Sequence, residues 1–469
     1  MAKDCVPELL ARATEELEAE FRELPPFEEP FPLAGMEWVL EAVAHRLRDN
    51  YPYFHPLYAG QMLKPPHPLA RAAYALAMKL NPNNHALDGG RASSAMEVEA
   101  VREIAGMFGW KEFLGHLTSS GTFANLEALW MAGQLNEGPG TKGLGTKGRK
   151  RIVGSEQAHY THQRISAVLK LEYASVATDE RGRMSLEALD DELRKGDVGT
   201  VVATLGTTAL GAVDPLDEIL KLKERYGFRV HVDAAYGGYF GLIAEALEEP
   251  ARKAFAAIGQ ADSIVIDPHK HGLQPYGCGC VLFRDPAVGR LYKHDSPYTY
   301  FTSKELHLGE ISLECSRAGA AAVALWATQK LLPLAPGGAF AQGLAKGRRA
   351  AVELDRRVRG DARFVALAAG GPELDIAVWA LAPALALHAA DSRMGSTQAR
   401  KVFDACAVRG LHLALVELPG AWFGPRDRED KGSGAMTCLR SVLMKPEHEA
   451  WMGEIWDRLS AACGEVVGT

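Results

Sequence analysis

Short apolar, β-branched runs alternate with stretches of helical periodicity between about residues 100 and 285. The runs cover residues 151–154, 201–205, 228–233, 263–267 and 280–283. Such alternation is typical of α/β proteins, in which crossover helices cover both faces of a mostly parallel sheet. Ligands bind there beyond the carboxyl ends of the strands, where the loops that lead into the helices gather. The sequence therefore predicts a ligand site at that edge of an α/β sheet.

Two proline-rich segments, residues 25–32 and 333–338, divide the chain. Because 469 residues exceed what one hydrophobic core usually holds, we expect more than one domain. The last part contains its own helical patterns and an apolar run, 376–387, which predicts a buried strand and its turn and is too short to span a membrane. We predict three parts: a helical N-terminal arm (1–95), a large sheet-containing domain (96–332) and a smaller C-terminal domain (333–469).

The charge balance and the cysteines indicate the kind of partner and compartment. The formal charge of −7, from 52 basic and 59 acidic residues, gives no general attraction to nucleic acid or to an anionic membrane. We therefore expect a small-molecule partner. Seven cysteines are scattered without metal-ligand spacing, so we predict no metal site. The charged start, Met1-Ala-Lys-Asp, differs from a signal peptide, and together with the scattered cysteines it predicts a cytoplasmic protein.

The segment Asp267-Pro-His-Lys270-His-Gly follows one apolar run and precedes another. A lysine in a polar loop after a strand can form an imine with a carbonyl cofactor. A surface lysine on a hairpin is the alternative, and this segment alone does not separate the two.

Asp233 ends the apolar run at 228–233. A carboxylate where a strand ends can keep a pyridine nitrogen protonated, which makes the ring of pyridoxal 5′-phosphate (PLP) an electron sink. The small side chain of Ala235 leaves room for a flat ring. An aspartate after a strand is otherwise a turn former, so it is the combination of Asp233 with Lys270 that indicates a PLP site.

Small residues, Ser120-Gly121-Thr122, end a short run and precede a helical stretch. Free N–H groups at a helix start, together with the hydroxyls of Ser120 and Thr122, can bind a phosphate dianion. An ordinary Ser/Thr helix cap is the alternative.

Two further positions follow predicted strands. His159 lies just past the run at 151–154, where its ring can stack on a cofactor, and the alternative is a surface loop histidine. Thr207 lies just past the run at 201–205 and is either a turn residue or a cofactor contact. His159 and His162 have no third ligand nearby, which argues against zinc.

Together these segments resemble the group II PLP-dependent amino-acid decarboxylases, which include glutamate, aromatic-amino-acid and archaeal tyrosine/aspartate decarboxylases. The resemblance extends from about Tyr51 to the C-terminal end, and it includes His55-Pro and residues 89–97 and 439–446. It implies an α/β fold of the aspartate aminotransferase type, with a mostly parallel sheet in the large domain and a smaller α+β C-terminal domain. It also implies an obligate homodimer whose N-terminal arms wrap the partner.

The resemblance also implies roles for individual residues. The family's counterpart of Lys270 forms the imine with PLP, that of Asp233 pairs with the pyridine nitrogen, and that of His159 stacks on the ring. The remaining counterparts lie at the phosphate (Ser120, Gly121, Thr122 and His269) or near the ring (Thr207).

The reaction is predicted from two further positions, because the fold alone does not name the chemistry of a PLP enzyme. Residues 291–302, polar and aromatic, predict a mobile lid. Tyr298 in that segment resembles the family's tyrosine that protonates Cα after carbon dioxide leaves. A packed aromatic is the alternative reading of Tyr298, and Tyr300 is the reserve proton donor.

Arginine suits the binding of a substrate carboxylate because its guanidinium group forms two parallel hydrogen bonds. Arg440 aligns with a family arginine that has this role, and Arg317 is a weaker candidate of the same kind. Without the resemblance, a structural ion pair is the favoured role for a lone arginine such as Arg440.

We therefore predict PLP-dependent α-decarboxylation of an L-amino acid, with an aromatic or an acidic side chain, to the amine and carbon dioxide. Three alternatives remain. A carbon–carbon lyase shares the lysine, the aspartate and the phosphate loop, but the segment Asp233-Ala-Ala-Tyr-Gly-Gly favours a decarboxylase. An aldehyde synthase usually lacks the lid tyrosine or the stacking histidine, and both are present. A non-catalytic PLP-binding homologue would not need Lys270, Asp233 and His159 together.

Overall fold

The computed structural model describes residues 6–25, 33–137, 148, 151–293, 307–382, 392–419, 422 and 435–467. Within these ranges the chain forms two β-sheets and 13 α-helices. The α-helices are α1 (Val6–Ala19), α2 (Leu33–Leu47), α3 (Pro68–Met78), α4 (Leu87–Met107), α5 (Gly121–Glu137), α6 (Thr161–Val168), α7 (Leu186–Leu193), α8 (Leu216–Tyr226), α9 (Glu249–Ala257), α10 (Gly319–Leu331), α11 (Ala339–Arg359), α12 (Ser392–Val408) and α13 (Met452–Val467).

The larger sheet has seven strands in the order β1-β7-β6-β5-β4-β2-β3. Strands β2 to β6 pair in parallel, whereas β7 runs antiparallel to both of its neighbours. The predicted mostly parallel sheet is therefore confirmed. Its strands are β1 (Leu114–Thr118), β2 (Arg151–Ser155), β3 (Tyr173–Val176), β4 (Val198–Thr204), β5 (Arg229–Asp233), β6 (Ser263–Ile266) and β7 (Gly279–Phe283).

The residues of β4 explain why the larger sheet lies in the interior of the protein. All seven of its residues are buried, and the β-branched side chains that dominate it fit a pleated surface covered on both faces. Val201 packs with Val230 and with Ile219 of α8 on one face. Val202 points to the other face and packs with Leu129 of α5. Helices on both faces therefore leave the edges and the strand ends as the places where a ligand can bind.

The smaller sheet belongs to the C-terminal part of the chain and has four antiparallel strands in the order β10-β11-β9-β8. Its core includes the wholly buried Trp379, which packs with residues of α11, α12 and α13. The apolar run predicted to be a buried strand forms β9. The four strands are β8 (Phe364–Ala366), β9 (Ile376–Leu381), β10 (Ala414–Pro419) and β11 (Ala435–Val442).

A segment of the predicted N-terminal arm crosses onto this smaller sheet. The amide of Ala59 donates to the carbonyl of His412, and the amide of Val442 donates to the carbonyl of Ala59, both at 2.9 Å. A Cβ atom on Gly60 would lie 2.6 Å from the carbonyl oxygen of Leu413, so only glycine allows this close approach. The arm is thus joined to the C-terminal part, and the domain limits stay a prediction.

Helix α2 exposes large apolar side chains. Trp38, Leu40 and Leu47 are 70%, 65% and 60% exposed, respectively. None of the helices in the described ranges has an apolar stretch long enough to cross a membrane.

Candidate active site

Loops that follow five strands of the larger sheet, β1, β2, β4, β5 and β6, meet at its carboxyl edge and enclose a pocket. The space inside it is about 650 Å³, including the open mouth. Its lining brings together residues that lie far apart in the sequence. They are Met62, Ser120, Gly121, Thr122, Asn125, His159, Thr161, Thr204, Gly206, Thr208, Asp233, Ala235, Tyr236, Asp267, His269 and Lys270.

The start of α5 forms one wall of the pocket. Helix α5 begins at Gly121, directly after the loop that leaves β1, and the Oγ of Ser120 accepts a hydrogen bond from the amide of Phe123. The first amides of a helix have no acceptor within the helix, so they favour an anion. A Cβ on Gly121 would lie 2.5 Å from a carboxylate oxygen of Asp267, which explains the glycine there.

Asp233, the last residue of β5, presents a carboxylate to the pocket. Its Oδ2 accepts a hydrogen bond from His162 Nε2 at 2.8 Å and from the side-chain amide of Asn125 at 3.4 Å. Its Oδ1 accepts a hydrogen bond from the backbone amide of Ala235 at 3.1 Å. Burial by itself raises the pKa of Asp233. The hydrogen bond and charge of His162, followed by the charge of Lys270, outweigh that effect and hold the pKa well below its usual range. Asp233 is therefore a carboxylate at neutral pH.

Lys270 lies in the loop after β6, where its Nζ is 3.0 Å from Asp267 Oδ2. Burial by itself lowers the pKa of Lys270, but the charges of Asp267 and Asp233 outweigh it and raise the pKa above its ordinary value. The amine thus carries a proton in the free chain. The other carboxylate oxygen of Asp267, Oδ1, is buried and has no hydrogen-bond partner among the described residues.

His159 lines the pocket from the loop between β2 and α6. Its Nδ1 lies 2.8 Å from Thr161 Oγ1 and accepts a hydrogen bond from the Thr161 amide at 3.3 Å, which leaves the proton of the neutral ring on Nε2. Burial lowers the pKa of His159, and Asp233 opposes this only in part. The ring is therefore neutral at pH 7, which suits stacking.

His269 adjoins Lys270, and its Nδ1 donates to the carbonyl of Cys278 at 2.8 Å. Its Nε2 is 3.5 Å from Asp267 Oδ2. Burial lowers the pKa of His269, and Asp267 opposes that effect. This arrangement directs one ring nitrogen of His269 toward the wall formed by Gly121 and Asp267.

Two predicted contacts do not line the pocket. Thr207 is wholly buried, and its Oγ1 accepts a hydrogen bond from the Ala212 amide at 3.0 Å, as a turn residue would. Its neighbour Thr208 lines the pocket instead. Arg440 lies behind Thr208 and donates hydrogen bonds to the carbonyls of Thr208 and Ala209, at 2.6 and 3.1 Å.

Arg317 forms a buried ion pair with Glu97, with an Nη1–Oε1 distance of 2.7 Å, and also donates to the carbonyl of Leu117. It thus holds the end of β1, as the structural alternative proposed. Tyr298 and Tyr300 lie outside the described residues.

Sequence reasoning missed the partners of Asp233. His162 was weighed only as a metal ligand, and Asn125 was not singled out. The available signal was a histidine in the first turn of a helix that packs on the sheet. A polar side chain at such a buried position requires a polar partner.

The residues fit PLP. Helix amides and hydroxyls suit its phosphate, the carboxylate of Asp233 suits its pyridine nitrogen, and the amine of Lys270 suits its aldehyde. The unpartnered Oδ1 of Asp267 can accept a hydrogen bond from a donor in the pocket.

Known proteins share both the fold and the family of this chain. A crystal structure of mouse CSAD in apo form superposes with a TM-score of 0.76 at 22% identity, covering 96% of this chain and 91% of that one. This likeness shows the fold. The conserved domain of pyridoxal-dependent decarboxylases matches residues 51–374. The chain belongs to this family, whose cofactor is PLP.

Two curated relatives differ in the substrate that their names state. An L-tyrosine decarboxylase of Enterococcus faecium is 29% identical over 385 residues, which cover 63% of each chain. An acidic amino acid decarboxylase, GADL1 of Xenopus tropicalis, is 29% identical over 307 residues, which cover 62% of this chain and 58% of that one. The chain thus matches less than two thirds of the length of these relatives.

Proposed function

We propose that this protein removes the α-carboxylate of an L-amino acid with an aromatic or an acidic side chain and releases the amine and carbon dioxide. The observation that carries the proposal is the convergence of Lys270, Asp233 and the start of α5 on one pocket. Bound PLP supplies an electron sink for the carbanion formed at Cα. The names of the two relatives support both classes of side chain.

Each pocket residue has a separate task in this proposal. Ser120, Gly121 and Thr122 hold the phosphate with the first amides of α5, and His269 adds a ring nitrogen on the same side. Asp233 holds a proton on the pyridine nitrogen because its own pKa is low. Ala235 leaves space at the ring.

The covalent attachment is assigned to Lys270, which must lose its proton before its Nζ can react with an aldehyde. Asp267, 3.0 Å away, is the nearest described acceptor for that proton. The neutral ring of His159 stacks on the cofactor and excludes water from one of its faces.

Three roles rest on the sequence resemblance. Tyr298 delivers the proton to Cα once carbon dioxide has left, with Tyr300 in reserve. Arg440 binds the substrate carboxylate, for which it must exchange a carbonyl contact to Thr208 or Ala209. Thr207 supports the ring from behind Thr208. Each of these roles remains a proposal.

We further propose a cytoplasmic homodimer. Helix α2 supports the dimer, because large apolar side chains exposed on one of its faces, such as Leu40 and Leu47, require cover. Charged substitutions at both positions should convert the dimer to a monomer in light scattering. A parent chain that is already monomeric would contradict this proposal.

The decisive experiment is release of carbon dioxide, measured with PLP across the proteinogenic amino acids, cysteine sulfinate and diaminobutyrate. We expect release from an aromatic or an acidic substrate and recovery of one amine for each carbon dioxide. Aldehyde with ammonia in place of the amine would indicate an aldehyde synthase.

Lys270→Ala tests the attachment residue in the same assay. We expect this variant to lose turnover and the cofactor absorption that borohydride bleaches. Lys253→Ala, a change at an exposed lysine in α9, is the matched control and should retain both. A Lys270→Ala variant that keeps a reducible chromophore would place the attachment at another lysine.

A further inference from the structure

His162 makes a contact that neither the family match nor the sequence motifs assign. It lies in the first turn of α6, its side chain is fully buried, and its Nε2 is 2.8 Å from Asp233 Oδ2. No described residue lies within hydrogen-bond distance of its Nδ1. Because a carboxylate oxygen can only accept, Nε2 of His162 is the donor in this hydrogen bond.

A second donor reaches the same oxygen through a directed chain of hydrogen bonds. The Oγ of Ser263 is 2.8 Å from His231 Nδ1, and His231 Nε2 is 2.7 Å from Asn125 Oδ1. Burial, followed by the charge of His162, lowers the pKa of His231 to about 3, so this ring is neutral. With Ser263 as the donor, His231 donates to Asn125 and turns the amide nitrogen of Asn125 toward Asp233.

We propose that His162 is a positioning residue that keeps the carboxylate of Asp233 ionised and directed at the pyridine nitrogen of PLP. The proton between cofactor and protein has two available sites, the ring nitrogen and the carboxylate. A buried carboxylate without donors favours the proton on itself, because burial disfavours its charged form. The hydrogen bond from His162 shifts the balance toward the ring nitrogen, where the proton is useful.

The proposal assigns to His162 an effect that simple packing would not have. A side chain that only filled space between α6 and the sheet would affect stability and leave the proton on the ring nitrogen. The inference rests on the proposed function in one respect, namely that PLP binds with its pyridine nitrogen at Asp233.

The test uses the holoenzyme loaded with PLP labelled with ¹⁵N in the ring, whose chemical shift reports protonation of that nitrogen. In the parent chain we expect the shift of a protonated ring. His162→Leu removes the donor and should move the shift toward that of the unprotonated ring. Turnover should fall about 10- to 100-fold, as expected from one hydrogen bond to a charged group.

A pair of amide variants separates the hydrogen bond from packing. The amide nitrogen of His162→Gln reaches about as far as Nε2, whereas that of His162→Asn is too short. We expect His162→Gln to recover most of the parent ring shift and turnover, and His162→Asn to behave like His162→Leu. Ile165→Val, a buried change on the same helix that does not touch Asp233, controls for altered packing of α6.

A parent-like ring shift in His162→Leu and His162→Asn would overturn the proposal and leave His162 with a packing role. Equal shifts in the Gln and Asn variants would overturn it as well. Failure of the proposed function looks different. A parent enzyme that binds PLP and releases no carbon dioxide would refute the reaction, while the ring shift would still report on His162.

Discussion

Two buried carboxylate–histidine pairs lie on opposite sides of one helix start, and only one of them opens on the pocket. Asp233 and His162 are 2.8 Å apart, and Glu127 and His116 are 3.0 Å apart, with both histidine side chains fully buried. Glu127 also accepts a hydrogen bond from Tyr292 at 2.7 Å. The side chain of Asp233 is 6% exposed and lines the cavity, whereas that of Glu127 is sealed.

A short distance between a buried carboxylate and a buried histidine therefore does not by itself identify a functional group. Buried ion pairs also serve structure, and structural and functional pairs both shift pKa values. What distinguishes Asp233 is access to a cavity that a ligand can enter.

Turnover should separate the two pairs most strongly. Asp233→Asn should reduce the rate about 10³-fold, because a neutral amide cannot hold the proton on the pyridine nitrogen. Glu127→Gln, the matched amide change in the sealed pair, should leave turnover close to that of the parent chain. Steady-state rates of both variants measure this difference. Similar losses in the two variants would show that access to the cavity is not the distinguishing property.

Pocket residues should affect the stabilisation of the protein by bound PLP, whereas the Glu127–His116 pair should not. PLP at 100 times its dissociation constant should stabilise the parent chain by about 2.7 kcal/mol, because it binds only the folded state. Ser120→Ala combined with Thr122→Ala should lose most of that increment, whereas Glu127→Gln should keep all of it. Thermal unfolding with and without PLP measures the increment. An unchanged increment in the double variant would remove the phosphate from the start of α5.

The fold and half of the site could be predicted because they depend on local patterns. The apolar runs that form β5 and β6 end at or just before the segments of Asp233 and Lys270. Parallel strands end at the same edge of a sheet, so the meeting of these two side chains could be predicted. Which threonine faces the pocket depends on the turn, where Gly206 adopts a φ of +102°. That angle turns Thr208 inward and buries Thr207, and no periodicity encodes it.

The rest of the site depends on contacts between distant segments. His162 meets Asp233, 71 positions further along the chain. Arg440 meets the carbonyls of Thr208 and Ala209, more than 230 positions earlier. A single sequence shows which residues can hydrogen bond and leaves their long-range partners open. The local motifs were therefore predicted, whereas the residues that orient them were not.

Removal of one hydrogen bond should show that the sealed pair serves stability. Tyr292→Phe removes a donor to the buried carboxylate of Glu127 and should lower the free energy of unfolding by about 2 kcal/mol. Tyr160→Phe, at a 61% exposed ring, is the control and should change it by about 0.5 kcal/mol or less. Urea unfolding measures both values. Equal effects would mean that Tyr292 contributes no more than a surface hydroxyl.

The smallest expected effect is the response of the two pairs to acid. Burial alone raises the pKa of Glu127, but the charge of His116 and the hydrogen bonds from His116 and Tyr292 outweigh it and lower the pKa below the ordinary 4.5. The pKa of Asp233 likewise lies below its ordinary 3.8. Each folded carboxylate binds its proton more weakly than the unfolded one. Each pair therefore contributes stability above the ordinary pKa and loses it as the pH falls through the lower folded value.

The cofactor should distinguish these two acid responses. A protonated pyridine nitrogen adds a positive partner to Asp233 alone, so PLP should strengthen the contribution of Asp233 by an amount on the order of 1 kcal/mol for each further unit of pKa depression. Urea unfolding of Glu127→Gln and Asp233→Asn between pH 3 and 6, with and without PLP, measures the response. Glu127→Gln should remove the same free energy of unfolding at pH 6 in both conditions, whereas Asp233→Asn should remove more of it with PLP present. A PLP-dependent difference in Glu127→Gln would couple the sealed pair to the pocket and end the distinction between them.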